Sequence, residues 1–282
     1  MEKKKYSVVS IHYTTECNMK CPFCYKKKSC KEAEKPKDFW YSLIPKIKEI
    51  SNQIALGGGE PFINIPFVEE FGKRCKANGV ILNVTSNGRA LMNLTDIQLK
   101  RALKNITLIS LSYDDYKVKT IEDLDNYKTL VNRIKKHTNC QVGSNLLINQ
   151  EMFKDEAQGF KIVVEMLFDK VCVDRVFALC PKNIKCPDIL KFKTIYQYLT
   201  IKYPHFYIDD LTKMILSEGK YSNWEKECHK GRDLISIDER GGVSSCSFAE
   251  PFIFLKNPEE LLDLEIPKCE EGLHSCPFLM RK

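Results

Sequence analysis

The sequence predicts an α/β protein: a parallel sheet made of six successive β/α units over residues 1–205, then a C-terminal segment, 206–282, of different character. Three observations carry this. Short apolar runs alternate with longer, charged stretches of helical periodicity, which is the pattern of a parallel sheet with crossover helices. The apolar runs end in small, polar or Gly-rich residues, the composition of loops at the ends of strands. Near Tyr203–Tyr207 the rhythm stops, and the remainder of the chain carries Cys228, Cys246, Cys269 and Cys276 around a hairpin pattern.

Taken in order, strands are expected at Ser7–Tyr13, Gln53–Leu56, Val80–Thr85, Thr107–Tyr113, Val142–Ile148 and Arg175–Leu179. Helices are expected at Phe39–Ile50, Pro66–Asn78, Thr95–Lys104, Ile121–Thr138, Met152–Phe168 and Ile189–Lys202. The fourth helix shows the reason well. Leu124, Tyr127, Leu130, Val131 and Ile134 recur at three-to-four spacing, one face of a helix. In the C-terminal segment Leu234–Asp238 alternates, Arg240-Gly241-Gly242 turns, and Val243–Phe248 returns, which reads as a hairpin.

Composition narrows the class. Hydrophobic residues at 43% and charged residues at 29% describe a chain that buries a core rather than a disordered one. No apolar run reaches the ~18 residues of a membrane helix, and the N-terminus lacks the apolar segment of a signal peptide, so a cytoplasmic protein with no membrane partner is expected. In a reducing compartment thirteen cysteines point to metal or redox chemistry rather than to disulfides. The net charge of +7 is mild for 282 residues, and without a nucleic-acid-binding motif no nucleic-acid partner is expected.

The chemistry centres on Cys17-Asn-Met-Lys-Cys21-Pro-Phe-Cys24, directly after the first strand. Three thiolates at C-x3-C-x2-C spacing can hold three corners of a cubic iron–sulfur cluster. Such clusters usually have four cysteine ligands, so a set of three leaves one iron open. The competing reading is zinc, which takes four ligands in structural sites and could recruit Cys30.

Several strand ends add to this. After strand two comes Gly57-Gly58-Gly59-Glu60-Pro61. Glycines allow backbone to approach a ligand closely, and a carboxylate beside them can accept hydrogen bonds from an ammonium group; a turn ended by proline is the plain alternative. Strand three ends in Thr85-Ser86-Asn87-Gly88, which a generic Asn-Gly turn also explains, so Ser86 and Asn87 are secondary candidates. Strand four ends in Ser112-Tyr113-Asp114-Asp115, where Asp114 can equally be a helix cap or turn residue. Strand five carries Asn145, a candidate to point inward. Cys30, Cys75, Cys140, Cys172, Cys180 and Cys186 have no metal-ligand spacing and are given no role.

The cysteine triplet, Phe23 before its last cysteine, the position after strand one and the Gly-Gly-Glu after strand two together resemble the signature of the radical S-adenosylmethionine (radical SAM) superfamily. The resemblance implies a partial (β/α)6 barrel of the TIM type. It implies that Cys17, Cys21 and Cys24 hold a [4Fe–4S] cluster whose open iron binds S-adenosylmethionine, and that this cofactor is cleaved to a 5′-deoxyadenosyl radical. Phe23, Gly58, Gly59, Glu60, Ser112, Asp114 and Asn145 are then the cofactor-binding candidates, with Gly58, Gly59 and Glu60 on the methionyl amine. Cys228, Gly241 and Cys246 stand as C-x12-G-x4-C, similar to the opening of the twitch and SPASM extensions. That likeness implies an auxiliary [4Fe–4S] cluster on Cys228, Cys246, Cys269 and Cys276, in a small C-terminal β-hairpin/helix extension. Twitch sequences often close with a tighter pair than Cys269 and Cys276, and here the sequence departs from that pattern. A zinc site with His229 or His274 is the alternative reading of the same residues.

The implied function is hydrogen abstraction from a substrate, with oxidation or crosslinking of a peptide or protein side chain as the first reading. The alternatives are a twitch-type dehydrogenase of a small molecule and a non-catalytic iron–sulfur or zinc protein. A flavodoxin or ferredoxin is the expected electron donor. No general base can be named, because no substrate fixes the geometry.

Overall fold

The computed structural model describes residues 5–24, 34–179, 188–208, 212, 233–247 and 249–265. Among them one sheet of ten strands organises the chain: β1 (Val8–His12), β2 (Gln53–Gly57), β3 (Ile81–Ser86), β4 (Leu108–Tyr113), β5 (Gln141–Leu147), β6 (Arg175–Leu179), β7 (Phe206–Ile208), β8 (Leu234–Ile237), β9 (Gly242–Ser244) and β10 (Ile253–Phe254). The order is β10-β9-β8-β1-β2-β3-β4-β5-β6-β7. Strands β1 to β7 are parallel neighbours in sequence order. This is the α/β partial-barrel arrangement that the six repeats predict.

The crossovers are α1 (Lys37–Ile50), α2 (Ile65–Ala77), the short α3 (Arg89–Met92) with α4 (Asp96–Ala102), α5 (Ile121–His137), α6 (Gln158–Asp169) and α7 (Ile189–Lys202). Several start for a local reason. Asn64 caps α2, Thr95 and Gln98 form a capping box on α4, Thr120 and Asp123 form one on α5, and Asp188 caps α7. Such caps satisfy N–H groups that have no partner inside the helix. The α5 stripe lies as its spacing predicts: Tyr127, Leu130, Val131 and Ile134 are buried. On the sheet, Val9, Ile11, Ile54, Leu56, Leu82, Val84, Ile109, Leu111, Val142 and Leu146 face the helices and are buried. Full burial of such a side chain stabilises the fold by roughly 1.5–3 kcal/mol. The alternate residues line the other, concave face.

Three features differ from the sequence expectation. The helix expected at Met152–Phe168 is broken. Gln150–Phe153 form a 3-10 turn capped by Asn149, and Asp155, Glu156 and Ala157 take φ of 51°, 63° and 65°, which no right-handed helix permits. The break lets α6 fold back on the turn, where a side chain at Gly159 would meet the Met152 backbone at 3.1 Å. Second, β7 pairs in parallel with β6, so the β/α repeat runs past residue 205 because Phe206 and Ile208 are buried. Third, the C-terminal hairpin does not stand apart: β8 pairs in parallel with β1, Val8 opposite Leu234 through Ile11 opposite Ile237. Its turn is as the sequence predicts, with Gly241 at φ 81° and the Asp238 carboxylate accepting the Gly242 N–H at 2.7 Å.

Candidate functional site

The site is built where the ends of β1 to β4 meet. After β1 the chain runs through Thr14, Thr15 and Glu16 into the cysteine loop, and this stem is gripped on two sides. On one, the Gly59 N–H donates to the Thr14 carbonyl and the Glu60 N–H to the Glu16 carbonyl, both at 2.7 Å. A side chain at Gly59 would put Cβ 2.0 Å from the Glu16 oxygen, and one at Gly58, at φ +138°, would come within 2.6 Å of the Thr14 oxygen. The glycines are therefore required by the stem itself. On the other side the Glu34 carboxylate accepts the Thr15 N–H at 2.7 Å and both threonine hydroxyls.

Glu60 and Asp114, the two carboxylates expected to face a cofactor, are each 1% exposed and engaged within the protein. Glu60 accepts from the Phe62 N–H (3.0 Å), the Ser86 hydroxyl (2.8 Å) and the Asn87 N–H (2.7 Å). It thereby binds the turn after β2 to the turn after β3. Burial pushes its carboxyl above the usual range, against those three hydrogen bonds, which favour the ionised form. Asp114 accepts the N–H groups of Tyr116 and Lys117 and forms an ion pair with the Lys117 ammonium. Asn87, secondary in the sequence, reaches the cysteine loop directly: its amide donates to Asn18 Oδ1 at 2.8 Å and approaches Cys17 Sγ at 3.8 Å.

Cys17, Cys21 and Cys24 are thiols on one loop, half-buried to exposed, and they feel one another electrostatically. Burial raises the Cys17 and Cys21 thiols, so loading a metal must displace protons. Among the described residues no three His, Cys, Asp or Glu side chains converge as they would on a single metal ion. A donor set of three soft, accessible thiols on one loop fits an iron–sulfur cluster. Cys75 and Cys140, given no role, are pushed up to about 12 by burial and are inert by comparison.

Phe23 lies edge-on to Tyr116, 6.2 Å between centroids, with the Lys117 ammonium 5.3 Å from its ring. Ser112 and Asn145 are register partners on the concave face, and the Asn145 amide reaches Thr85 Oγ1 at 3.4 Å. Small and polar residues continue along that face. Ser10, His12 and Ser236 meet Ser247: His12 Nε2 is 3.0 Å from Ser247 Oγ and 3.2 Å from Ser10 Oγ, and Ser236 Oγ is 3.3 Å from Ser247 Oγ. Cys246, buried, precedes Ser247, so the parallel β1–β8 pairing brings this cysteine to the strand that leads into the triplet. Cys228, Cys269 and Cys276 lie outside the described residues.

Sequence reasoning missed Glu34, Lys117 and His12. Lys117 alone had a local signal, standing three residues after Asp114. Glu34 and His12 gain their partners only through folding.

The sequence model of the Radical SAM superfamily matches residues 11–148. A curated S-adenosylmethionine-dependent nucleotide dehydratase from a Thermoplasmatales archaeon (strain ISO4-H5) is 30% identical over 112 residues, 39% of each chain. Among solved structures, Streptococcus suis SuiB bound to S-adenosylmethionine superposes with a TM-score of 0.67 at 16% identity, over 92% of this chain and 65% of that one. The anSMEcpe structure with bound AdoMet and a Cp18Cys peptide gives 0.55 at 16% identity, over 86% and 74%. The chain thus spans well under half of its curated relative and just under two thirds of SuiB. These structures share its fold, and the matched segment contains the cysteine triplet, the Gly58–Glu60 turn, Ser112, Asp114 and Asn145. Residues 11–148 belong to the radical SAM superfamily.

Proposed function

We propose that this chain cleaves S-adenosylmethionine reductively and uses the product to oxidise or crosslink a peptide or protein side chain. The observation that carries the first half is the interlock of the cysteine loop with the turns after β2 and β3, through Gly59, Glu60 and Asn87. A [4Fe–4S] cluster on Cys17, Cys21 and Cys24 supplies, when bound, the electron that cleaves S-adenosylmethionine and frees a 5′-deoxyadenosyl radical to remove hydrogen from the substrate. The chain's own residues hold and shelter the reactants. The Gly58–Glu60 turn receives the methionyl amine, with the Glu60 carboxylate bracing that turn from behind. Ser112 and Asn145 offer hydrogen bonds to the rest of the cofactor from the concave face. Phe23 closes the loop over Lys117 and Asp114. Cys246, with Cys228, Cys269 and Cys276, would hold the auxiliary cluster, and a flavodoxin or ferredoxin would supply electrons.

Two fold neighbours support a peptide substrate, since SuiB is described in complex with its precursor peptide SuiA and anSMEcpe with a peptide. A small-molecule substrate is the second reading. The dehydratase relative favours it, as does the polar band of Ser10, His12 and Ser236, which suits a hydrogen-bonding ligand. The test is anaerobic reconstitution, reduction with dithionite and assay of 5′-deoxyadenosine. Deuterated peptides and the four nucleoside triphosphates are then offered separately, and deuterium transfer or product formation identifies the class. Zinc in place of iron, with no 5′-deoxyadenosine, would end the proposal.

A further inference from the structure

We propose that Lys117 is a positioning residue of the cysteine loop, and that its ammonium, held beneath Phe23 by Asp114, raises the reduction potential of the cluster on Cys17, Cys21 and Cys24. The inference rests on the cluster assignment above and assigns a residue outside every motif. Lys117 follows β4 in a tight turn, its N–H and that of Val118 donating to the Asp114 carbonyl at 3.1 and 2.9 Å. Its side chain is only 12% exposed, and that of its ion-pair partner Asp114 only 2%. Burying a lysine is costly unless its charge is used. Here the ammonium faces a carboxylate on one side and the ring of Phe23, the residue just before Cys24, on the other.

The charges set the sign. Reduction adds one negative charge to the cluster, so a nearby cation in a low-dielectric site favours the reduced form. Asp114 opposes it. The two charges act in opposite senses, and removing either one leaves the other uncompensated beside the cysteine loop. Phe23 transmits position, because a cation–π contact and an edge contact with Tyr116 fix the segment that carries two of the three thiols.

The test uses the full chain, reconstituted anaerobically with iron and sulfide. Reduction is followed by electron paramagnetic resonance during a potentiometric titration without S-adenosylmethionine. Lys117→Met should shift the midpoint to lower potential, Asp114→Asn should shift it higher, and Lys117→Arg should stay at the native value. Opposite shifts from two partners of one ion pair are a mark of electrostatics that damage to the loop would not give. Shifts in the same direction, or none, overturn the inference. If a single variant loses iron, Lys117→Gln is titrated instead; a midpoint below the native value supports the inference, and one at or above it overturns it. A native chain that takes up no iron would defeat the cluster assignment itself, a result distinct from a loaded protein with an unmoved potential.

Discussion

The Glu60 carboxylate accepts the Asn87 backbone N–H at 2.7 Å, and through it the turn after β2 is fastened to the turn after β3. Asn87 in turn donates its side-chain amide to Asn18 in the cysteine loop. One buried carboxylate thus coordinates three strand ends, and the first prediction concerns it. Glu60→Gln turns an amide N–H toward backbone and hydroxyl donors that need an acceptor. Leaving such a donor buried and unpaired costs about 1–3 kcal/mol, so a lowered unfolding midpoint in thermal denaturation is expected.

The same residue makes stability depend on pH. Its folded pKa is raised by burial, so between the ordinary carboxylate value and that raised value the folded state binds more protons than the unfolded one. Its contribution is full below the unfolded pKa and is lost as pH rises through the folded pKa. Denaturant titrations across that window should show a declining component in the native protein that Glu60→Gln lacks. A slope unchanged by the substitution would count against the assignment.

Gly59→Ala tests the grip on the stem. The new Cβ would lie 2.0 Å from the Glu16 oxygen, a backbone atom that cannot swing aside. The cysteine loop must shift, at an expected cost of roughly 1–3 kcal/mol. After anaerobic reconstitution the variant should hold well under half the iron of the native chain while circular dichroism still shows the sheet and helices. Native iron content in Gly59→Ala would mean that the stem and the turn are not coupled.

The Ser112→Ala/Asn145→Ala double variant separates cofactor binding from cluster binding. Among the described residues neither of these register partners hydrogen-bonds to the cysteine loop, Asn145 reaching Thr85 instead, so iron content should not change. Calorimetry with S-adenosylmethionine should show affinity weaker by about tenfold to a hundredfold, the loss of one or two hydrogen bonds of ~1–1.5 kcal/mol each.

Replacing Cys17, Cys21 and Cys24 together by alanine isolates the C-terminal cysteines. If Cys228, Cys246, Cys269 and Cys276 hold an auxiliary cluster, the triple variant should retain about half of the native iron, as four-cysteine clusters do without a partner site. Complete loss of iron would remove the auxiliary cluster from the proposal.

Much of this protein was legible in its sequence, for reasons that are local. The apolar periodicity of Tyr127, Leu130, Val131 and Ile134 marks the buried face of α5 because side chains three or four apart share one side of a helix. Strand positions follow from alternation, and the Cys17–Cys24 spacing states its chemistry within one loop. The break at Asp155–Ala157 was hidden, since the sequence there keeps helical composition, while in the fold the chain turns and Gly159 comes close to the Met152 backbone. The pairing of β8 with β1 joins residues far apart in the chain, and no periodicity encodes a partner. The same holds for Glu34 with Thr15, His12 with Ser247, and Glu60 with Ser86 and Asn87, whereas Asp114 takes the local turn role its position after β4 allows. Sequence by itself determined the order of elements and the thiols that can bind metal. Tertiary structure alone decided what the Glu60 carboxylate does, because burial removes water and leaves its charge the donors that the fold brings to it from Ser86 and Asn87.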